Sequence, residues 1–523
     1  MTIRKKILGR AAGLAAVVVV ASLVAAPAAA TPPSTPAAVL NSVQASGTSV
    51  SLQWTDRSQD EDEFWVFRRD AAGGKLLQIG AVTSTSSTGV GQTYSFTDTI
   101  AAGTRQCYEV STFVMFGRAG EEFSNELCTS PLPPVPVPAP GVGSTTTMAD
   151  PNPKLGNRMS SMAIGSDGLA IMSYLNYDPH DSNPVKQLRF ARCQNPGCTA
   201  ITSIGIDSMY DAIDPASIKV GSDGLPIMSY VVPRNAAGQT VDDLRVAYCR
   251  NIACTSVTIN TIDPAATAFR QTSLTIGGDG LPLIAYRDYS QANGWYVKVA
   301  KCLNRSCSET KVSIIDTASP VSDDVSIATA ANGFAILAYE SEVGNHDSHL
   351  KVARCFNADC SSVTTTSVDQ FVGYRHEIRD PSLTIGRDGL GLITYVHKDH
   401  HGYEEVLVAH CVNFTCTAVT TTTVSTNAVV ANENPQITIG GDGLGVIVYS
   451  DEDNDDAKVA HCNDIACTST TTVTLDSAGD TGNYPSITTG VDGLPLISYS
   501  AWPALKVVHC PNVTCSGGIG AAS

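Results

Sequence analysis

Ser273-Leu274-Thr275-Ile276-Gly277-Gly278-Asp279-Gly280-Leu281-Pro282-Leu283-Ile284-Ala285-Tyr286 reads as a strand, a turn and a second strand. Branched and aromatic side chains fill the two flanks, as a pleated sheet favours. Asp279-Gly280 between them is a tight hairpin turn. The phrase recurs through the chain. Its turn Asp returns as Asp167, Asp223, Asp388, Asp442 and Asp492, with Asn332 in that place in the fourth copy. A Tyr stands seven positions after each: Tyr174, Tyr230, Tyr286, Tyr339, Tyr395, Tyr449 and Tyr499. Every copy then carries a Cys-x4-Cys: Cys193 and Cys198, Cys249 and Cys254, Cys302 and Cys307, Cys355 and Cys360, Cys411 and Cys416, Cys462 and Cys467, Cys510 and Cys515.

Each repeat divides into four short strands, which in the third copy are expected at Ser273–Ile276, Leu281–Tyr286, Tyr296–Ala300 and Lys311–Ile315. Repeats of 50 to 56 residues with strand chemistry signal a propeller. Seven copies predict an all-β chain whose residues 143–515 form a seven-bladed β-propeller. The last copy stops at Cys515 before any fourth strand, and residues 516–523 are a Gly-rich tail. Gly143-Ser144-Thr145-Thr146-Thr147-Met148-Ala149-Asp150 is similar to Ser469-Thr470-Thr471-Thr472-Val473-Thr474-Leu475-Asp476. The segment 143–150 is therefore expected to complete the seventh blade and to remove its open edge.

Upstream of the repeats the chain changes character. Arg4, Lys5, Lys6 and Arg10 precede the apolar run Ala11 to Ala26, and Ala28-Ala29-Ala30 is a cleavage-type site. Residues 1–30 are thus expected to be a secretory signal peptide, too short in its apolar run to span a membrane. Val50 to Trp54 alternates apolar and polar residues, followed by Phe64-Trp65-Val66-Phe67-Arg68, Tyr94-Ser95-Phe96 and Cys107-Tyr108-Glu109-Val110. Residues 35–131 resemble a fibronectin type III domain, a β-sandwich, with Trp54 as its buried tryptophan and Tyr108 as its corner tyrosine. Cys107 and Cys128 would lie on the last two strands and pair, a departure from the disulfide-free pattern of that family. Residues 132–142, rich in Pro and Val, read as a stiff linker.

Sixteen cysteines in an exported chain read as disulfides: Cys107–Cys128, Cys193–Cys198, Cys249–Cys254, Cys302–Cys307, Cys355–Cys360, Cys411–Cys416, Cys462–Cys467 and Cys510–Cys515. Zinc would need more ligands than each Cys pair supplies, and His410, His461 and His509 precede the first Cys in only three copies. A net charge of −17 argues against nucleic acid and anionic membrane surfaces as partners. The phrases Asp492-Gly493-Leu494-Pro495-Leu496-Ile497-Ser498-Tyr499 and Lys458-Val459-Ala460-His461-Cys462 resemble uncharacterised secreted bacterial repeat proteins over residues 148–515. That resemblance implies a fold and no activity. The likeness to the Asp-box of sialidase-type propellers is looser, since the glycine here follows the Asp directly.

The position three residues before each phrase's Ser opens the innermost strand and should face the channel mouth. It is Arg158, Asp214, Arg270, Asp323, Arg379, Glu433 and Asn483 in turn, alternating base and acid through six copies. One reading is a belt of inter-blade ion pairs that fixes blade order. The other is a charged pocket for a ligand bearing hydroxyl or carboxylate groups. On the same face the connections between second and third strands vary, including Asp178-Pro179-His180-Asp181, Arg287-Asp288-Tyr289, Asn345-His346-Asp347 and His397-Lys398-Asp399-His400-His401. Asp451, Asp453 and Asp455 could hold calcium through hard oxygens, with a solvated acidic loop as the alternative. His397, Asp399, His400 and His401 could hold a transition metal, or nothing. No Gly-x-Ser-x-Gly or His-Glu-x-x-His motif occurs. The expectation is a secreted, monomeric binding or adhesion protein for a glycan or protein ligand, leaning away from catalysis. The alternative is a secreted glycan-active hydrolase or lyase working at the channel mouth through a carboxylate pair.

Overall fold

The computed structural model describes residues 38–46, 49–56, 63–70, 77–84, 91–100, 106–113, 124, 127–128, 143–148, 156–177, 185–210, 216–236, 239–266, 271–290, 294–317, 324–330, 332–343, 347–371, 376–413, 415–426, 435–501 and 503–517. The expected signal peptide (1–30) and linker (132–142) lie outside the described residues. All regular structure among the described residues is β-strand. No described helix is long and apolar enough to cross a membrane.

Two sheets precede the repeats. One is three-stranded, in the order Val39–Ser46, Ser49–Thr55, Thr93–Thr99; the other is four-stranded, in the order Leu77–Thr83, Glu63–Asp70, Gln106–Phe113, Leu127–Cys128. Alternate residues of the first sheet, Val50, Leu52 and Trp54, pack against Phe64, Val66, Tyr108 and Val110 of the second. Trp54 is fully buried, its ring edge-on to Phe64 at 5.7 Å. Tyr108 is equally buried, and its hydroxyl donates to Asp98 Oδ2 at 2.8 Å, the carboxylate that also pairs with Arg68. Burial, Asp98 and the hydrogen bond together push the phenol of Tyr108 far above its ordinary range. Cys107 is disulfide-bonded, and the register sets it directly across from Cys128.

Seven four-stranded antiparallel sheets follow, one for each repeat, an architecture of propeller type. Six of them use strands in chain order. The seventh runs Asn483–Thr489, Pro495–Ala501, Ala504–His509 and then Ser144–Met148, with His509 opposite Ser144 and Leu505 opposite Met148. The apolar clusters lie between successive sheets. Leu283, Val297 and Val299 of the third repeat pack on Ile327, Leu337 and Ala353 of the fourth, for example.

The repeated residues of the sequence turn out to be the fasteners between and within sheets. Each phrase Ser accepts a backbone N–H from the next repeat's innermost strand. Ser161, Ser217, Ser273, Ser326 and Ser382 receive Ile218, Leu274, Ile327, Leu383 and Ile437 at 3.3, 3.1, 3.1, 2.9 and 3.3 Å. Ser486 of the seventh repeat receives Met162 of the first at 3.0 Å, and Ser160 meets Ser498 at 2.8 Å.

The repeated Tyr is buried, and in six of the seven copies its hydroxyl reaches the preceding repeat; Tyr174 instead meets Ser203 of its own sheet at 2.6 Å. Tyr230, Tyr286, Tyr339 and Tyr499 donate to Asp207, Asp263, Asp316 and Asp476 at 2.9, 2.6, 2.8 and 2.8 Å, and Tyr395 bonds Asp369 in the same way. A β-bulge sets these acids. In each of the first six sheets the ladder skips one outer-strand residue just before this position, for example Ile315 between Ile314 and Asp316. The extra residue bends the edge and re-aims the carboxylate toward the neighbour. In the fifth sheet the position is Ser425, which bonds Tyr449.

The turn Asp serves two partners. Its Oδ1 accepts the N–H two residues on, at 3.0 Å from Leu281 to Asp279 and at similar distances in every copy. This holds Gly280 at φ 76°, a left-handed conformation that glycine adopts without a Cβ clash. The carboxylate, or the Asn332 amide, also binds the residue before the first Cys. That residue is Arg192, Tyr248, Lys301, Arg354, His410, His461 or His509 in turn. The three histidines weighed as zinc ligands are therefore structural partners of Asp388, Asp442 and Asp492.

All seven Cys-x4-Cys pairs are disulfides with Cα–Cα of 4.7–4.8 Å. The second Cys of each lies at φ 49–54°, a conformation that costs a non-glycine residue about 1–2 kcal/mol. The crosslink holds it there, together with the side-chain oxygens of Asn195, Asn251, Asn304, Asn357, Asn413, Asp464 and Asn512, which accept backbone N–H groups one or two residues after it.

Candidate functional site

The turn and Cys-hairpin end of the repeats spends its polar side chains on the fasteners just described. The opposite end differs from copy to copy. The second and third strands are longer there than expected: in the third repeat they are Pro282–Ser290 and Gly294–Cys302, so Arg287, Asp288 and Tyr289 belong to a strand and not to a loop. His397 and Lys398 likewise end the strand Gly391–Lys398. The ladder persists because these polar side chains find partners within it.

Arg287 shows how. It is 1% exposed, with its guanidinium 4.3 Å from the Trp295 ring centre, across the hairpin. A desolvated cation over an indole face is stabilised by the ring quadrupole. Tyr289 lies opposite Trp295 in register, rings 4.8 Å apart, and is itself exposed. Asp288 accepts from the Tyr289 amide at 2.8 Å and pairs with Lys298. Two aromatic rings are thus braced at the tip of the third sheet.

One position on, in the fourth repeat, Glu340 occupies the place of Arg287. It is buried and accepts from the Ser348 hydroxyl at 2.8 Å, while Ser348 accepts the Ile378 amide at 2.7 Å. Burial raises its carboxyl to about 8; Ser348 opposes the shift, Glu377 and Glu342 add to it, and Arg287 opposes it. At neutral pH this acid is largely protonated. Sequence reasoning placed Arg287 in a variable connection and did not single out Glu340. The available signal was the position directly after each repeated Tyr, which reads Leu175, Val231, Arg287, Glu340, Val396, Ser450 and Ser500.

Of the expected channel-mouth residues, Asp214, Arg270, Asp323 and Glu433 and the side chain of Arg158 lie outside the described residues. Arg379 pairs with Glu404, which is buried on the third strand of its own sheet, and approaches Asp380 at 3.8 Å; Lys398 also reaches Glu404 at 3.5 Å. These pairs lie within one sheet, unlike the inter-blade belt expected of the alternation. Asn483 bonds Asp480 three residues before it. The innermost strands of the seven repeats line a cavity of about 100 Å³, with side chains from every repeat, among them the six ladder serines, Gln436 and Tyr484, and no charged group. That volume is well below the ~300–1,000 Å³ of small-molecule sites.

The acidic turn does not gather its carboxylates. Asp451 receives both bonds from the Asn454 amide at 3.0 Å and pairs with Lys458, which also pairs with Asp456 at 3.0 Å. Asp455 contributes its backbone carbonyl to Thr481. Lys458 and the Asn454 amide thus engage Asp451, one of the three carboxylates expected to hold calcium. Among the described residues no three His, Cys, Asp or Glu side chains are grouped to hold a metal ion. This covers His397, Asp399, His400 and His401 too: Asp399 caps the turn through the His401 and Tyr403 amides, while His397 turns inward beneath Phe371.

No protein-family model and no curated protein matches the sequence. Among solved structures, a protein of unknown function from Dyadobacter fermentans aligns at 12% identity over 70% of this chain and 98% of its own, with a TM-score of 0.42. A Hadza microbial sialidase aligns at 11% identity over 91% of this chain and 97% of its own, TM-score 0.39. An alpha-L-arabinofuranosidase from Lactobacillus brevis aligns at 11% identity over 48% and 86%, TM-score 0.32.

Proposed function

We propose that the chain is an exported, non-catalytic binding protein that holds an extracellular glycan against the variable end of a seven-bladed propeller. In this reading residues 35–131 are a fibronectin type III-like spacer, 132–142 a linker and 143–515 the ring, with strand 143–150 completing blade seven. The three-plus-four strand order before the repeats, the seven sheets and the Ser486–Met162 bond support that organisation. Disulfides in every repeat suit an oxidising, extracellular setting.

The observation that carries the binding reading is the braced aromatic pair Tyr289 and Trp295 over buried Arg287. A ring held from behind presents an apolar face at small entropic cost, and sugar C–H faces stack on such surfaces while their hydroxyls bond nearby polar groups. Asp288 and Lys298 stand beside the pair, and Arg158, Asp214, Arg270, Asp323 and Glu433 are proposed as further contacts. A glycan array run with the purified protein, followed by titration of Trp295→Ala and Tyr289→Ala, tests this. Binding weakened about tenfold or more in both variants supports it; binding unchanged in both removes it.

A second reading, a glycan-active hydrolase, is favoured by Glu340, whose protonated carboxyl has the state that a general acid needs. Turnover of a chromogenic glycoside panel that disappears in Glu340→Gln, Asp323→Asn or Glu433→Gln would establish it in place of binding alone.

A further inference from the structure

His376 and His397 meet end to end at the variable end of the fifth sheet. His376 Nδ1 lies 3.1 Å from His397 Nε2, the ring centres are 5.4 Å apart and the planes differ by 5°. The centre-to-centre separation is close to the nitrogen gap plus the two ring radii, so the rings lie along one line. That is the geometry of a straight N–H···N hydrogen bond. A metal would need both lone pairs to converge on a point to one side.

The pair is anchored from three directions. Phe371, at the end of the preceding repeat's outer strand, stacks flat on His397 with centres 3.4 Å apart. His397 is buried, and its other nitrogen, Nδ1, lies 3.5 Å from Glu405 Oε2. His376 directly precedes the innermost strand Glu377–Ile385, whose Ile378 stands opposite His397 in the ladder.

We propose that His376 and His397 form an acid-labile catch that fastens the start of the fifth sheet's innermost strand against Phe371. The catch needs one of the facing nitrogens to be bare. A first added proton can be shared along the line and balanced by Glu405. A second places two cations nitrogen to nitrogen, and the bond is gone. The charged neighbours on the packed strands leave Glu405 as the main counterion: Glu404 is committed to Arg379 and Lys398, Asp369 to Tyr395, and Asp380 faces Arg379. Glu377 stands opposite Lys398 in the ladder. Asp399 is tied to the turn amides, and His400 faces His376 directly, ring centres 5.5 Å apart, with His401 packed on its other side.

The sign follows from burial. Burial lowers the proton affinity of His397; Glu405 opposes the shift, His376 adds to it and Asp399 opposes it, with a net lowering. A histidine with a lowered folded value contributes stability that is complete above about pH 6.5 and is lost as pH falls through that folded value.

Imidazole NMR on the full chain, with hydrogen exchange at the Ile378 amide, tests the catch. That amide is bonded to Ser348 and lies just beyond His376. The expected result is titration of His397 in two steps, one of them coupled to its neighbour across the bond. Exchange at Ile378, corrected for intrinsic rate, should rise about tenfold between pH 7 and pH 5. In His376→Gln the His397 titration should become a single step and the exchange rise should vanish. Independent one-step titrations in the parent protein, or an equal exchange rise in His376→Gln, would overturn the proposal.

Discussion

Tyr339→Phe isolates one inter-sheet fastener. The hydroxyl donates at 2.8 Å to Asp316, which also pairs with Lys351 at 3.0 Å, and the two charged side chains are only 11% and 14% exposed. Hydrogen bonds to ionised groups contribute about 1.5–3 kcal/mol. Lys351 stays in place after the change, so Asp316 is not stranded, and the loss should fall at the lower end, about 1.5–2 kcal/mol. Tyr449 supplies an internal control because its hydroxyl bonds Ser425 and Thr472, both uncharged. Tyr449→Phe should cost about 0.5–1.5 kcal/mol. Urea unfolding measures both, and only midpoint shifts at constant m qualify as stability changes. Adding Lys351→Met completes a cycle in which Tyr339 should matter more once the lysine is gone, by about 0.5 kcal/mol or more. Tyr339→Phe within about 0.5 kcal/mol of the parent, or less costly than Tyr449→Phe, would refute the claim that the carboxylate strengthens the fastener.

Four further outcomes are expected. Ser273→Ala removes the acceptor of the Ile327 amide and should cost about 1 kcal/mol, visible as faster exchange at that amide. Burial alone would raise the Asp442 carboxyl, but His461 and the Leu444 amide hold it below the ordinary carboxylate range. Its contribution is therefore present above about pH 4 and lost as pH falls through the lowered value, so Asp442→Asn should flatten acid unfolding curves in that window. Converting Cys302 and Cys307 to Ser should cost about 2–3 kcal/mol at most, read by thermal melting, with the other six hairpins intact. Deleting residues 143–148 exposes the edge of Ala504–His509 and should produce concentration-dependent association on size-exclusion chromatography.

Strict spacing made most of the repeat architecture legible. The turn Asp, the Tyr and the Cys pair recur at fixed offsets because each fills the same place in every sheet, and the Thr-rich segment before the repeats resembled an outer strand, although the ladder sets Ser144 opposite His509 where Thr471, not Thr470, stands opposite His461. What chemistry varies, spacing alone did not reveal. The place before the first Cys holds Arg, Tyr, Lys or His, four different donors to one acceptor, so its role was invisible until the acceptor was seen. The partner of five of the seven Tyr hydroxyls is an acid about two dozen residues upstream, hidden because Ser425 replaces it for Tyr449, because Tyr174 bonds Ser203 of its own sheet instead, and because a bulge, not an alternation, aims it. Arg287 and Glu340 sit where hydrophobic alternation predicts apolar residues. Buried charge reads from sequence as a loop, and their partners across the hairpin become evident only in three dimensions. The alternating Arg and Asp positions were legible as a pattern, but Arg379 finds Glu404 inside its own sheet, a pairing that the pattern does not encode.

The strand Ser144–Met148 has a mechanical consequence. It is joined to the rest of its sheet by the ladder to Leu505–His509, partners roughly 360 residues away in sequence. Tension arriving through the chain before Ser144 enters the repeats at this edge strand, not at the core of a sheet. If that tension acts along the strand, all rungs of the ladder share it at once; if it acts across the strand, they fail singly from the Ser144–His509 end. A tether attached here would hold or release according to the direction of pull, with the neighbouring sheets still fastened by their serines and tyrosines.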